Sequence, residues 1–175
     1  MAGDTSLDWR WGTAERFKYL SLMADMMTVV ARSKNMARIR STDTKPELRV
    51  RRFLHAQGFR YRLHAKDLSG RPDLRLSKYG LVIFVHGCFW HRHVRCRYTT
   101  FPSTNVGYWR QKFARNVARD RANVSLLLLQ GWRVLIIWEC GLKSSSPDLS
   151  WLPQWIASNR RFSQWPGDGA QVAPS

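Results

Sequence analysis

The sequence predicts an α/β domain built on a mixed sheet with helices packed against it. Two apolar runs carry that prediction. Residues 81–86 (Leu-Val-Ile-Phe-Val-His) and 132–138 (Trp-Arg-Val-Leu-Ile-Ile-Trp) are short, rich in β-branched and aromatic side chains, and almost unbroken. Such runs belong in the middle of a sheet that is covered on both faces. Between them, residues 108–130 read as one long helix stopped by Gly131. The order helix, three strands, long helix, strand then gives a sheet flanked by helices.

Taken in order, residues 1–31 form a weakly structured N-terminal extension, with a short helix as the one candidate at 20–30. Thr44-Lys-Pro-Glu47 has the form of a capping box with proline in the first turn, and it opens a helix that closes at Gly58. Residues 59–63 alternate like a half-buried strand. Residues 73–76 and 81–86 are two strands joined by the turn-like Ser77-Lys-Tyr-Gly80. After Lys143, Ser144-Ser-Ser-Pro-Asp148 has linker composition, and Trp151, Leu152, Trp155 and Ile156 mark a short helix. The tail 166–175, rich in Gly, Ala and Pro, is expected to be disordered. The ends, an extension at 1–31 and linker, helix and tail at 144–175, are thus set off from the α/β middle at 32–143.

The charge points to a partner. Across 175 residues, 29 Lys and Arg oppose 12 Asp and Glu, a net charge of +17. Residues 32–75 and 91–121 together hold 21 of those 29 cations. So much unbalanced charge repels itself unless a polyanion neutralises it, which puts nucleic acid ahead of any membrane surface. No apolar run is long enough to cross a bilayer, and Asp4, Asp8, Glu15 and Asp25 give the N-terminal region the wrong charge for a secretory signal, so the expected location is cytoplasmic. Asp73 and Asp120 are expected to stay ionised in this basic background, as a metal ligand or a histidine-orienting group should.

The densest chemistry follows the first central strand, in His86-Gly-Cys-Phe-Trp-His-Arg-His-Val-Arg-Cys96. Cys88, His93 and Cys96, with Cys140 after the second central strand, offer three thiolates and an imidazole. That set accounts for every cysteine and suits a closed, tetrahedral, structural zinc site. His86 and His91 are left over for acid–base work. Asp73, in Gly70-Arg-Pro-Asp73, can hold a hard Mg²⁺ ion beside a phosphate. The strand leading from it resembles the Pro-Asp…acid-x-Lys nuclease arrangement, except that Phe84-Val85-His86 stands where Glu-x-Lys would be.

Five blocks carry a closer resemblance: Arg32-Ser-Lys-Asn-Met36, Gly70–Asp73, His86–His91, Asn116-Val-Ala-Arg-Asp120, and Gly131–Leu135 continuing to Trp138-Glu-Cys140. Together they resemble the very-short-patch-repair (Vsr) mismatch endonucleases over residues 32–143. The resemblance implies a restriction-endonuclease-like fold and a monomeric, bacterial, nucleoid-associated enzyme. It implies nicking of duplex DNA 5′ to the T of a T:G mismatch left by 5-methylcytosine deamination. It also implies a functional link to a cytosine-5 DNA methyltransferase and to mismatch-repair proteins. Position by position, Asp73 and the main-chain carbonyl of Val85 match the Mg²⁺ ligands. His91 matches the general base, held by Asp120, His86 the second catalytic histidine, and Glu47 a further active-site acid. Cys88, His93, Cys96 and Cys140 match the zinc ligands. Met36, Phe89 and Trp90 match side chains inserted into the base stack, and Lys112 on the long helix is a further candidate for contact with the mismatch. The family usually has His-x-Cys where this chain has His93-Val-Arg-Cys96, so the extra residue is expected to bulge.

Inserting apolar rings into a duplex costs least at a mispair, so such a step itself favours mismatches. Two other functions fit the composition: a nuclease of the same fold that cuts matched DNA, like a restriction enzyme, and a zinc-stabilised nucleic-acid-binding module without catalysis. The second leaves Asp73, His91 and Asp120 without a task.

Overall fold

The computed structural model describes residues 42–143 and 147–167. The expectations for the N-terminal extension, Met36 and the tail from 168 onward lie outside the described residues. Thr44 caps the first helix α1, Lys45–Ala56, as expected. Its hydroxyl accepts the Glu47 N–H at 3.4 Å, and the Glu47 carboxylate accepts the Thr44 N–H at 3.3 Å. Beyond α1 come β1 (Arg62–Leu63), β2 (Leu74–Leu76), a 3₁₀ turn (Ser77–Tyr79) and β3 (Leu81–His86). Gly80 takes the left-handed conformation that closes the turn (φ 55°). Then follow the short α2 (Cys88–His91), the long α3 (Val106–Leu129), β4 (Arg133–Trp138), a 3₁₀ turn (Glu139–Leu142), α4 (Trp151–Ala157) and β5 (Phe162–Trp165).

The five strands form one mixed sheet in chain order. β1, β2 and β3 are antiparallel neighbours, whereas β3–β4 and β4–β5 are parallel, each parallel step being crossed by a helix. Strand β3 pairs with β4 along its whole length, from Leu81 opposite Arg133 to His86 opposite Trp138. The two central strands bury both faces, as their composition requires. Leu81, Ile83, Leu135 and Ile137 pack with Val50 and Leu54 of α1 and Leu152, Trp155 and Ile156 of α4. Val82, Phe84, Val134, Ile136 and Trp138 pack on the other side with Leu127 of α3.

Two features differ from the sequence expectation. The strand expected at 59–63 shrinks to Arg62–Leu63, both exposed at the sheet edge. And residues 147–167 are more than linker and helix: α4 closes one face of the core, and β5 adds an unexpected edge strand beside β4. Gly141 is fixed by this arrangement, because a Cβ there would collide with the Trp165 ring.

Candidate active site and metal centre

The C-terminal ends of β3 and β4 converge, and the functional side chains gather there. Cys88, the first residue of α2, Cys140, just past β4, and His93 and Cys96 in the intervening loop each aim one ligand atom at a common centre. All these atoms lie within 4.8 Å of one another. The His93 Nδ1 is 3.3 Å from the Cys140 Sγ and 3.9 Å from the Cys88 Sγ. The Thr99 hydroxyl pins the loop by donating to the His93 carbonyl at 2.8 Å, and Trp138 stacks on the His93 ring at 4.3 Å. Between His93 and Cys96, Arg95 adopts the left-handed conformation (φ 54°), and the Cys96 sulfur lies within the cluster. The three cysteines form no disulfide. Hydrogen bonding to Cys140, followed by burial, pushes the Cys88 thiol well above its ordinary range. A cation that binds thiolate offsets that cost, so three sulfurs and an imidazole fit a soft, tetrahedral metal ion.

Asp73 stands immediately before β2, and its Oδ2 accepts the Val85 N–H across the strand pair at 2.7 Å. Its environment works against the basic surroundings. Burial, reinforced by the neighbouring Glu47 charge, raises its carboxyl to about 6, although the Val85 hydrogen bond, His64 and His91 act in the other direction. A buried, proton-binding carboxylate of this kind fits a hard divalent cation, which replaces the proton. Glu47 lies nearby on the buried face of α1, tied to Arg51 one turn on, with His64 Nε2 at 3.5 Å.

His91 closes α2 and hydrogen-bonds through Nδ1 to Asp120 Oδ2 at 2.6 Å. One turn earlier on α3, Asn116 donates to the Trp90 carbonyl at 3.2 Å, so one face of α3 fixes both the His91 ring and the peptide that leads into it. His86, the last residue of β3, is 6% exposed and stacks on His91. Burial, then His91 and Arg119, hold its imidazole well below the ordinary range, so it is neutral. His91 is the last of the influences on the Asp73 carboxyl, which puts the two within electrostatic reach of each other; the ligand atoms of His86, His91 and Asp120 lie within 4.8 Å of one another.

Phe89 and Trp90 are half-buried and extend into an aromatic cluster on α3. Phe89 packs edge-on against Trp90, Trp109 and Phe113 at 5.0, 5.8 and 5.1 Å. The Lys112 ammonium lies over the Trp90, Tyr108 and Trp109 rings at 5.4, 5.6 and 5.6 Å, with the Tyr108 hydroxyl 3.3 Å away. The structure thus brings together Asp73, Val85, Glu47, His86, His91 and Asp120, and beside them the four metal-site residues and the Phe89–Trp90–Lys112 group.

Sequence reasoning quoted Asn116 in a motif block without giving it a role, and missed Arg51, His64, Trp109 and Phe113. The last two carry a signal that could have found them, an aromatic pair at helical i, i+4 spacing; Arg51 and His64 carry none.

Comparison with known proteins shows what the chain is similar to. A family model described as DNA mismatch endonuclease Vsr matches residues 24–97. The chain is 46% identical over 121 residues to the DNA mismatch endonuclease Vsr of Escherichia coli (strain K12), covering 69% of this chain and 77% of that protein. It is 44% identical over 124 residues to the type II nicking enzyme V.NmeAIP of Neisseria meningitidis, covering 71% and 88%. A third relative, the type II nicking enzyme V.XorIIP of Xanthomonas oryzae pv. oryzae, is 44% identical over 120 residues, covering 69% and 88%.

Proposed function

Because the chain belongs to the Vsr family of DNA mismatch endonucleases, we propose that it nicks one strand of duplex DNA, 5′ to the T of a T:G mismatch. It is a T:G mismatch endonuclease of very short patch repair. Among the described residues no helix is long and apolar enough to cross a membrane, and its place of work is the bacterial chromosome. Deamination of 5-methylcytosine creates its substrate, so its activity is linked to a cytosine-5 methyltransferase that marks the same sites, and it hands its product to mismatch-repair proteins. It acts as a monomer.

The observation that carries the chemistry is the His91–Asp120 pair placed in one site with Asp73. Asp120 accepts a hydrogen bond from Nδ1–H of His91, which leaves Nε2 as the basic edge. That edge takes the proton of the attacking water, and Asp120 stabilises the imidazolium that results. Asp73 and the Val85 carbonyl would hold Mg²⁺. When bound, the ion supplies Lewis-acid stabilisation of the phosphate and lowers the proton affinity of water. His86 offers a neutral imidazole: stacking fixes the plane of His91, and an uncharged N–H remains for the phosphate. Glu47 lends negative charge behind Asp73.

Cys88, His93, Cys96 and Cys140 would hold zinc as a structural ion, since four protein ligands leave no open position. Bound there, it would tie α2 to the end of β4 and support the placing of His91 against Asp120. The fold then corresponds to the restriction-endonuclease-like class. Phe89 and Trp90, with Met36 from the region outside the described residues, insert beside the mispair, and Lys112 contacts it. Single-turnover nicking of T:G and T:A duplexes tests the proposal. Strong preference for T:G is expected; equal cutting of both would make this a nuclease for matched DNA, and no cutting would make it a binding module.

A further inference from the structure

Resting on the reading that Asp73 holds the exchangeable Mg²⁺ ion, we propose that Arg51 is a built-in cation that closes a second ligand cluster to divalent metals. Asp43, Glu47 and His64 each offer one ligand atom, and the three atoms lie within 4.8 Å of one another. By spacing alone this is a metal-competent set. The structure fills it with a guanidinium. Arg51 Nη1 donates to Asp43 Oδ1 at 2.6 Å, while Nη2 donates to Glu47 Oε1 and reaches His64 Nε2 at 2.9 Å. One planar fork therefore touches all three ligands.

Three features make this replacement permanent. Arg51 and Glu47 are buried, at 7% and 1% exposure, so neither side chain exchanges freely with water. A guanidinium neither loses its proton nor accepts a hydrogen bond. The His64 Nε2 faces that guanidinium at hydrogen-bond distance, so the ligand atom a metal would need is already engaged. Finally, the parts are held from both sides. Glu47 is fixed by the capping box and sits one turn before Arg51 on α1. His64, at a left-handed φ of 47°, donates its N–H to the Asp73 carbonyl at 3.1 Å. The acidic end of the site thus carries two cation positions: one occupied by the chain itself, the other at Asp73 and open to solvent ions. Arg51 is a positioning residue in this scheme. It compensates the buried Glu47 charge without taking up a second metal ion.

The test counts Mn²⁺ bound by the full-length, zinc-loaded protein without DNA, from the electron paramagnetic resonance signal of the free ion. Arg51→Met, folded by circular dichroism, is expected to bind one more Mn²⁺ per chain than the parent. Arg51→Met/Glu47→Gln should lose that extra ion, and Arg51→Lys, which restores the charge, should not gain it. A folded Arg51→Met protein with the parental count overturns the proposal. If Arg51→Met does not fold, Asp43→Asn decides: a parental count supports the built-in cation, and one ion fewer overturns it. Asp73→Asn reports separately on the Mg²⁺ reading, because a parental count there would remove Asp73 as a metal ligand while leaving the Arg51 result intact.

Discussion

His86 and His91 stack face to face, with ring centroids 3.8 Å apart and planes 8° apart. One ring is buried and neutral at the end of β3; the other is partly exposed and tied to Asp120 on α3. The stack divides the labour, since a base needs a basic edge open to water and its neighbour needs to stay uncharged to tolerate the proton it receives.

That division predicts an order among variants. His91→Ala should lower single-turnover nicking by about two orders of magnitude or more, the scale of losing a general base. Asp120→Asn should cost less, about tenfold, because the base remains and only its orientation and stabilisation suffer. His86→Ala should lower both the rate and the melting temperature, because it opens a cavity beside Trp138 and His91. His86→Phe refills the stack and should recover the melting temperature but not the rate. Recovery of both would mean that the imidazole of His86 does no chemistry.

Asp73 sets the acid limit. With its carboxyl raised to about 6 by burial, the metal-competent ionised form grows as pH rises through that value. At low Mg²⁺, nicking should therefore fall below about pH 6, and more Mg²⁺ should move that limit downward, because the ion competes with the proton. In metal-free protein the sign for stability is opposite. The folded state holds a proton that the unfolded chain releases above its ordinary 3.8, so stability drops as pH rises from there to about 6. Asp73→Asn should abolish nicking and leave mismatch binding nearly intact. An Asp73→Asn protein that nicks at the parental rate would remove Asp73 from the metal site.

The sulfur cluster predicts coupling between metal and folding. One zinc per chain should survive dialysis, and strong chelation should unfold the domain, because the ligands come from α2, its following loop and the end of β4. Cys88→Ala or Cys140→Ala should yield insoluble protein. Soluble, zinc-free, active protein from either variant would contradict the structural role.

How much of this was legible in the sequence follows the range of the forces involved. Helix α1 could be read because its capping box is local, Thr44 and Glu47 being three residues apart. Strands β3 and β4 could be read because a strand buried on both faces leaves an unbroken apolar run. Strand β5 could not: Phe162-Ser-Gln-Trp165 is short and half polar, and only pairing with β4 makes it a strand. At the site, Cys88, His93, Cys96 and Cys140 stood out because soft ligands are scarce in the chain. Arg51 was hidden among 13 cations in residues 32–75, and nothing local distinguishes the one that reaches His64. The raised carboxyl of Asp73 was hidden for a similar reason. Net charge counts cations along the chain, whereas its ionisation is decided by burial in three dimensions.

Charge on α3 predicts the salt response. Arg110, Arg115, Arg119 and Arg121 are all exposed on that helix, beside the residues that hold His91 and Trp90. If about four phosphates are neutralised, affinity should fall roughly tenfold for each doubling of salt. A nearly flat response between low and moderate salt would place the DNA elsewhere.

The aromatic group should govern discrimination rather than chemistry. The Trp90 ring packs on Phe89, Trp109 and the Lys112 ammonium. Stacking on a base is worth ~1–3 kcal/mol, and unstacking the duplex to admit a ring costs less at a mispair than at a T:A pair. Trp90→Ala should therefore lose about tenfold or more of its preference for T:G over T:A, with a smaller effect on the rate once DNA is saturating. Lys112→Met keeps most of the apolar stem over the rings but removes the charge, so it should weaken binding to T:G without releasing the ring cluster. Tryptophan fluorescence separates the two variants, since Lys112→Met keeps every indole while Trp90→Ala removes the one in α2. If Trp90→Ala instead lowers nicking of T:G and T:A duplexes equally at saturating DNA, the ring supports the His91 segment rather than reading the mispair.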